Sequence, residues 1–180
     1  SSMKDGASAE VAVVGNEGVV GVAAFMGGGR ALSSAVVHSA GQALRITAES
    51  IACCAWQSES IMQQLLRYTQ ALFTHMAQSS ACNRHHALAP QLCRWLLQHL
   101  DRQVGDEMRV THERIAGMLG VRREGVTGAA LQLQRDGLIR YSRGRIRVLD
   151  RRGLEQHSCE CYGVVDRAYD AVVERLVGCS

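Results

Sequence analysis

In "GVRREGVTGAALQLQRDGLI" (120–139), two guanidiniums and a carboxylate stand side by side as Arg122, Arg123 and Glu124, with Thr127 three residues on. Apolar residues follow at helical spacing. The charges therefore fall in the first turn of a helix, with Arg123, Glu124, Thr127 and Gly128 on one side of it. From such a position an arginine can donate two hydrogen bonds to O6 and N7 of guanine, and a glutamate can accept one from N4 of cytosine. A carboxylate among phosphates would only repel them unless a base-edge donor met it. The competing reading is an ion pair within the helix between Glu124 and a neighbouring arginine. Base readout by Arg123, Glu124 and Thr127 is the preferred expectation.

The charge distribution points the same way. Residues 1–108 carry a net charge of −1, residues 109–152 a net of +7 from 11 arginines and 4 acidic residues, and residues 153–180 a net of −3. The whole basic excess surrounds the quoted helix, which is the electrostatic footprint of a polyanionic partner. Arg143 and Arg145, flanking a Gly144 turn, are expected to meet phosphates, as are Arg122, Arg135 and Thr111. Such contacts hold register and impose salt dependence, but they carry no sequence information.

Other chemistries are less well supported. The chain has seven cysteines, at 53, 54, 82, 93, 159, 161 and 179. Without a secretion signal or a disulfide-scaffold spacing they read as reduced thiols. Cys53 and Cys54 are adjacent and point apart. Cys159 and Cys161, placed on one helix, would diverge by about 200°. His85-His86 with Cys82 nearby could make a haem or zinc site, although a hinge contact or surface pair is preferred. No metal site and no cofactor are expected. The nucleophile, phosphate-loop and metalloprotease motifs (G-x-S-x-G, G-x-x-x-x-G-K, H-E-x-x-H) are all missing, and Lys4 is the only lysine, so an enzyme is not expected.

The elements that must position these residues can be read from the pattern. Thr111 is a plausible N-cap for "HERIAGMLG" (112–120), with Glu113 at the positive helix end. Gly120 supplies the left-handed turn residue, Ala116 is small where two helices cross, and Val126 anchors the second helix. Ile115, Leu119, Val121, Ala129 and Leu133 complete an interior. This is the spacing of a helix-turn-helix, with a recognition helix at about 122–134. "LIRYSRGRIRVLD" (138–150) adds a small hairpin, making the winged form. "LAPQLCRWLLQHL" (88–100) is a helix with Pro90 near its start, and "RQVGDEM" is a polar turn. Upstream, Ile61, Leu65, Tyr68, Leu72 and Met76 form a stripe on a helix covering roughly 58–81, suited either to its own domain or to a second copy as a short coiled coil. "AEVAVV" (9–14), "SSAVVHS" (33–39) and "QALRIT" (42–47) read as strands among glycines that include Gly27-Gly28-Gly29. Leu154, Ser158, Cys161, Val165, Ala168, Val172 and Leu176 mark a C-terminal helix, expected to cover an exposed apolar face. An apolar fraction of 47% supports a real core, and no apolar run approaches the roughly 18 residues of a membrane span.

The stretch "VTHERIAGMLGVRREGVTGAALQLQRDGLIRYSRGRIRVLD" (110–150) resembles the DNA-binding domain of the Crp/Fnr family of bacterial transcription regulators. The helix before it resembles that family's dimerisation helix, and "GNEGVVGVAAFMGGGRALSSAVV" (15–37) is similar to the later strands of its β-roll. The resemblance implies an α+β chain: a partial, cyclic-nucleotide-binding-like β-roll (1–57), a dimerisation helix (58–82), and a winged helix-turn-helix with its C-terminal helix (83–180). It further implies a cytoplasmic homodimer reading a two-fold DNA site, with RNA polymerase as a further partner and no membrane. Ile61, Leu65, Tyr68, Leu72 and Met76 would form the dimer interface. Arg123 and Glu124 match the family's base-reading pair, and Thr111 and His112 match positions that approach phosphates. A second family arginine falls at Gly128, which implies a different half-site preference. Members that bind cyclic nucleotide place a glutamate and an arginine where this chain has Val22 and Leu32/Ser33, so cyclic nucleotide binding is not expected. Two alternatives stand beside this reading: a redox- or metal-sensing regulator using its cysteines, and a protein-interaction module on the same fold.

Overall fold

A computed structural model of the chain describes residues 9–27 and 33–177, the side chains of 174–177 excepted. Three helices come first: α1 (Val22–Phe25), α2 (Ala48–Gln57) and α3 (Glu59–His85). Thr47 caps α2 by accepting from the Ser50 N–H at 3.1 Å, and Ser58 caps α3. The three strands expected at 9–14, 33–39 and 42–47 do not form, and the first strand among the described residues begins at Glu107. β-Branched content favours a strand only where a neighbouring strand completes the ladder. Among the described residues no such partner lies alongside. Residues 9–21 run instead as a strap over the helices. Glu10 N–H bonds to Met118 O at 3.0 Å, Trp95 Nε1 donates to Glu10 Oε1 at 3.1 Å, and Arg102 Nε lies 2.7 Å from Glu17 Oε1. Residues 33–47 stay exposed. Leu32 and the Gly28-Gly29 pair lie outside the described residues.

From Leu88 to Val148 the chain follows the expected helix, helix-turn-helix and hairpin, with one strand added. It runs α4 (Leu88–Leu100), β1 (Glu107–Arg109), α5 (His112–Leu119), α6 (Arg123–Arg135), β2 (Ile139–Ser142), β3 (Arg145–Val148), α7 (Arg151–His157) and α8 (Cys161–Val177). Every residue of α4 from Gln91 to Leu100 is buried, so this helix is the axis on which α5, α6, α7 and the sheet pack. Thr111 caps α5, accepting from the Arg114 N–H at 3.2 Å, and Gly120 ends it at φ 67°. That left-handed turn lets the chain change direction into α6, burying Ile115, Ala116, Leu119, Val126, Ala129 and Leu133 against Leu92, Leu96 and Leu97 of α4. Val121 packs at the edge of the same core.

The antiparallel sheet has the order β1-β3-β2, with Met108 opposite Ile146 and Ile139 opposite Val148. The hairpin was legible around Gly144. Strand β1 was not, because it lies in what reads as a polar turn. The hairpin turns at Arg143 (φ 48°) and Gly144 (φ 73°), the pair of positive φ angles that matches the strands' twist.

The C-terminal helix is two helices, broken at 158–160 where Ser158 leaves the helical conformation. The first, α7, is capped by Asp150 and buries Leu154 in the main core. The second, α8, crosses to α3 and does not cover the helix-turn-helix as expected. Val165, Tyr169 and Val172 pack on Tyr68 and Ala71 in a second apolar cluster. Tyr68 donates from its hydroxyl to Val19 O at 2.9 Å, and the Arg102 guanidinium lies 4.9 Å from the Tyr169 ring centre.

Candidate nucleic-acid interface

Helix α6 projects its first turn into solvent. Arg122 is the N-cap in an extended conformation and no side chain caps the helix, so the leading backbone N–H groups and the positive end of the helix dipole face outward. Arg122, Arg123 and Glu124 are exposed and Thr127 is half-buried. Arg123 Nε lies 4.0 Å from Glu113 Oε2 of α5, both side chains being well exposed, which is a weak and screened attraction. Among the described residues Glu124 has no ion-pair partner.

Behind this tip lies a network that the sequence did not disclose. Thr127 Oγ1 donates to Arg123 O at 3.1 Å and sits 3.0 Å from His112 Nδ1. The His112 ring stacks on Tyr141 of β2 with centroids 3.9 Å apart. Burial, with the nearby Arg123 charge added, holds the His112 pKa below its ordinary value. The neutral ring can then donate from Nδ1 to Thr127 and so fix the first two turns of α6 against α5 and the sheet. Tyr141 N–H donates in turn to Gln134 Oε1. These residues, with Thr111, Glu113, Ala130 and Leu131, line an open groove of about 590 Å³.

The arginines expected to meet phosphates are differently placed. Arg143 is exposed at the wing tip. Arg145 Nη1 is 3.4 Å from Glu107 Oε1 and Arg147 Nη2 is 2.9 Å from Glu107 Oε2, so one β1 carboxylate is shared by two β3 guanidiniums. Arg135 is exposed at the far end of α6, about 18 Å from its start at the usual helical rise. The α3 stripe is divided. Leu65 and Tyr68 are buried within the chain, Leu72 packs at the edge of the α8 cluster, and Ile61 and Met76 remain exposed at 38% each. An adjoining α3 face leaves Leu66 (53%) and Phe73 (52%) in solvent.

Two groups of metal-ligating side chains occur among the described residues. Glu10 lies 3.3 Å from His38 Nε2 and 3.4 Å from His99 Nε2. Burial alone would raise the Glu10 carboxyl, but the two histidines outweigh it and hold the pKa at about 2. The other group is Cys82, His86, Cys159 and Cys161. Sequence reasoning separated these residues by treating 159 and 161 as points on one helix, whereas the break before α8 turns them to a common side.

Residues 90–157 match the model of the Crp-like helix-turn-helix domain. Similar solved structures include a transcriptional regulator of the Crp/Fnr family from Eubacterium rectale (26% identity, TM-score 0.48, covering 61% of this chain and 51% of that one). FixK2 from Bradyrhizobium japonicum is similar at 19% identity and a TM-score of 0.53, over 63% of this chain and 60% of its own. A mutant CooA from Carboxydothermus hydrogenoformans aligns at 15% identity and a TM-score of 0.51, over 62% and 55%. The last two likenesses establish a shared fold. The chain thus spans between 51% and 60% of the length of these relatives. None of the curated proteins compared with the chain matches it. No helix among the described residues is long and apolar enough to cross a membrane.

Proposed function

We propose that the chain, whose residues 90–157 match the Crp-like helix-turn-helix domain, is a transcription regulator that binds double-stranded DNA sequence-specifically as a homodimer. The observation that carries this reading is the tip of α6. An arginine and an unpaired glutamate stand exposed on one turn, ahead of a helix held rigid by His112 and Tyr141. Base edges give that carboxylate a role, since it has no intrahelical ion pair to serve.

Arg123 donates to guanine and Glu124 accepts from cytosine on entering the major groove. Thr127, its hydroxyl already engaged, offers its methyl group to a thymine methyl. Thr111, His112, Arg122, Arg135, Arg143 and Arg145 serve the phosphates. Arg143 keeps a left-handed backbone that costs a non-glycine residue about 1 kcal/mol, which places its guanidinium at the very end of the wing. The second copy docks along α3 through the exposed face of Leu66, Phe73 and Met76, with Ile61 at its margin. Leu65, Tyr68 and Leu72 support that face from within the chain. The regulator responds to something other than a cyclic nucleotide. Val22 packs beside the Tyr68 cluster and brings no ribose acceptor. RNA polymerase is the further partner, and the cytoplasm the compartment.

The test is a selection from random duplex DNA at fixed, near-physiological salt, run beside Arg123→Ala. The expected result is a two-fold symmetric site with half-sites about one turn, roughly 34 Å, apart. Its guanine preference should vanish in the variant, with a loss of about 1–3 kcal/mol. An equal loss on every sequence would reduce Arg123 to a phosphate contact, and no enrichment at all would overturn the reading.

A further inference from the structure

The four donors at the end of α3 have the composition and compactness of a structural zinc centre. Cys82 Sγ and Cys159 Sγ are 3.4 Å apart, Cys161 Sγ and His86 Nδ1 are 3.4 Å apart, and all four atoms lie within 4.8 Å of one another. A tetrahedral Zn²⁺ with sulfur at about 2.3 Å and nitrogen at about 2.0–2.1 Å sets its ligand atoms roughly 3.5–3.8 Å apart. Small contractions would bring the set onto one ion, whereas a multi-iron cluster spreads its outer ligands wider. The three cysteines are buried and form a cluster of their own, apart from both apolar cores.

The surroundings are built in the same sense. His86 turns Nδ1 toward the thiols while its Nε2 lies 3.3 Å from Glu160 Oε1, the carboxylate partner that orients a metal-bound imidazole. Gln78 Nε2 donates to Cys161 Sγ at 3.1 Å, as a thiolate requires. Gln91 Nε2 donates to the carbonyls of Cys82 and His86 at 3.2 and 2.7 Å, fixing the turn that carries both. Arg94, buried and bonded to Ser79 one turn before Cys82, supplies positive charge beside a complex that is negative overall.

We propose that Cys82, His86, Cys159 and Cys161 bind one Zn²⁺ ion, with Glu160 orienting His86. The ion joins the last turn of α3 to the start of α8. It thereby clips the chain across 77 residues, a long closure of the kind from which a metal staple gains most. The centre stands independently of DNA binding.

The full chain is purified under reducing conditions, stripped with chelator and titrated with Zn²⁺ against a chromophoric zinc indicator. Co²⁺ is used in parallel as a spectroscopic probe. One ion per chain is expected, with the intense d–d bands of a tetrahedral site, thiolate-to-cobalt charge transfer, and a higher Tm in the loaded protein. Cys82→Ser should abolish tight binding, whereas Cys53→Ser, at an exposed thiol outside the group, should leave it unchanged. Glu160→Ala alters an exposed side chain that the fold does not need and should weaken affinity by roughly 10–100-fold. Weak octahedral cobalt bands, equal affinity in Cys82→Ser, or no tight zinc uptake by the fully reduced protein would overturn the proposal.

Discussion

Arg123 and Glu124 are neighbours on one turn, and a polyanion feels them with opposite sign. On the proposed reading, Glu124 would lower affinity for every phosphate backbone and regain it only where a cytosine amino group meets it. Glu124→Ala is therefore expected to bind arbitrary DNA several-fold more tightly and to lose preference at one position of the site. Titrations on specific and scrambled duplexes check this, and weaker binding to both would remove the carboxylate from base readout. Thr127 divides differently, because its hydroxyl is engaged with His112 and the Arg123 carbonyl and only its methyl is left for a base. Thr127→Val should keep the site preference while lowering stability by about 1 kcal/mol, measured by denaturant unfolding. The exposure of the two charges was legible in the sequence because it follows from position on a helix. The Thr127 network was not, since its other half, His112, sits 15 residues away on a different helix and is set by the crossing angle.

Helix α6 carries two interior glycines in unlike surroundings. At Gly128 an added methyl group would meet nothing within 4 Å, whereas at Gly125 it would lie 2.9 Å from Leu88 Cδ2. Gly128→Ala should accordingly stabilise the domain by up to about 1 kcal/mol in thermal unfolding, and Gly125→Ala should gain less or nothing. A loss at position 128 would count against the open space there. Signals of this local kind explain which elements the sequence made readable. The Thr111 cap, the Gly120 stop and the Arg143-Gly144 turn each act over a few residues, and each falls where expected. Strand β1 has three residues and owes its existence to β3, some 38 positions on, so propensity was silent. The runs at 9–14, 33–39 and 42–47 erred the other way, having strand propensity without a neighbouring ladder. The break at 158–160 lies inside a continuous apolar period and escaped notice for that reason.

Across the whole molecule, buried His75 and half-buried Glu10 carry the large pKa depressions that weaken the fold in acid, and His112 adds in the same sense. Burial, reinforced by the charges of Arg102 and Arg94, holds His75 at about 3, and its Nδ1 lies 3.3 Å from the Tyr169 hydroxyl. Glu10 is held at about 2. Both pKa values are depressed by folding, so both contributions are present above the unfolded values and lost as pH falls toward the folded ones. His75 acts from about 6.5 downward and Glu10 joins below about 4.5. Tm should fall steadily on acidification from neutrality, and His75→Asn should flatten the part of the curve between those two values. An unchanged slope would clear His75. The other large-scale feature is where the matched domain begins and ends. The chain approaches it past Cys82 and His86 and departs at Cys159 and Cys161, so beginning and end meet at one corner of the molecule. The domain is in effect a closed bight of chain. Its interior could be cut and rejoined across that corner by a short linker, as a circular permutant, without redrawing any contact within it. A rotation of α3 would therefore carry both ends of the bight together.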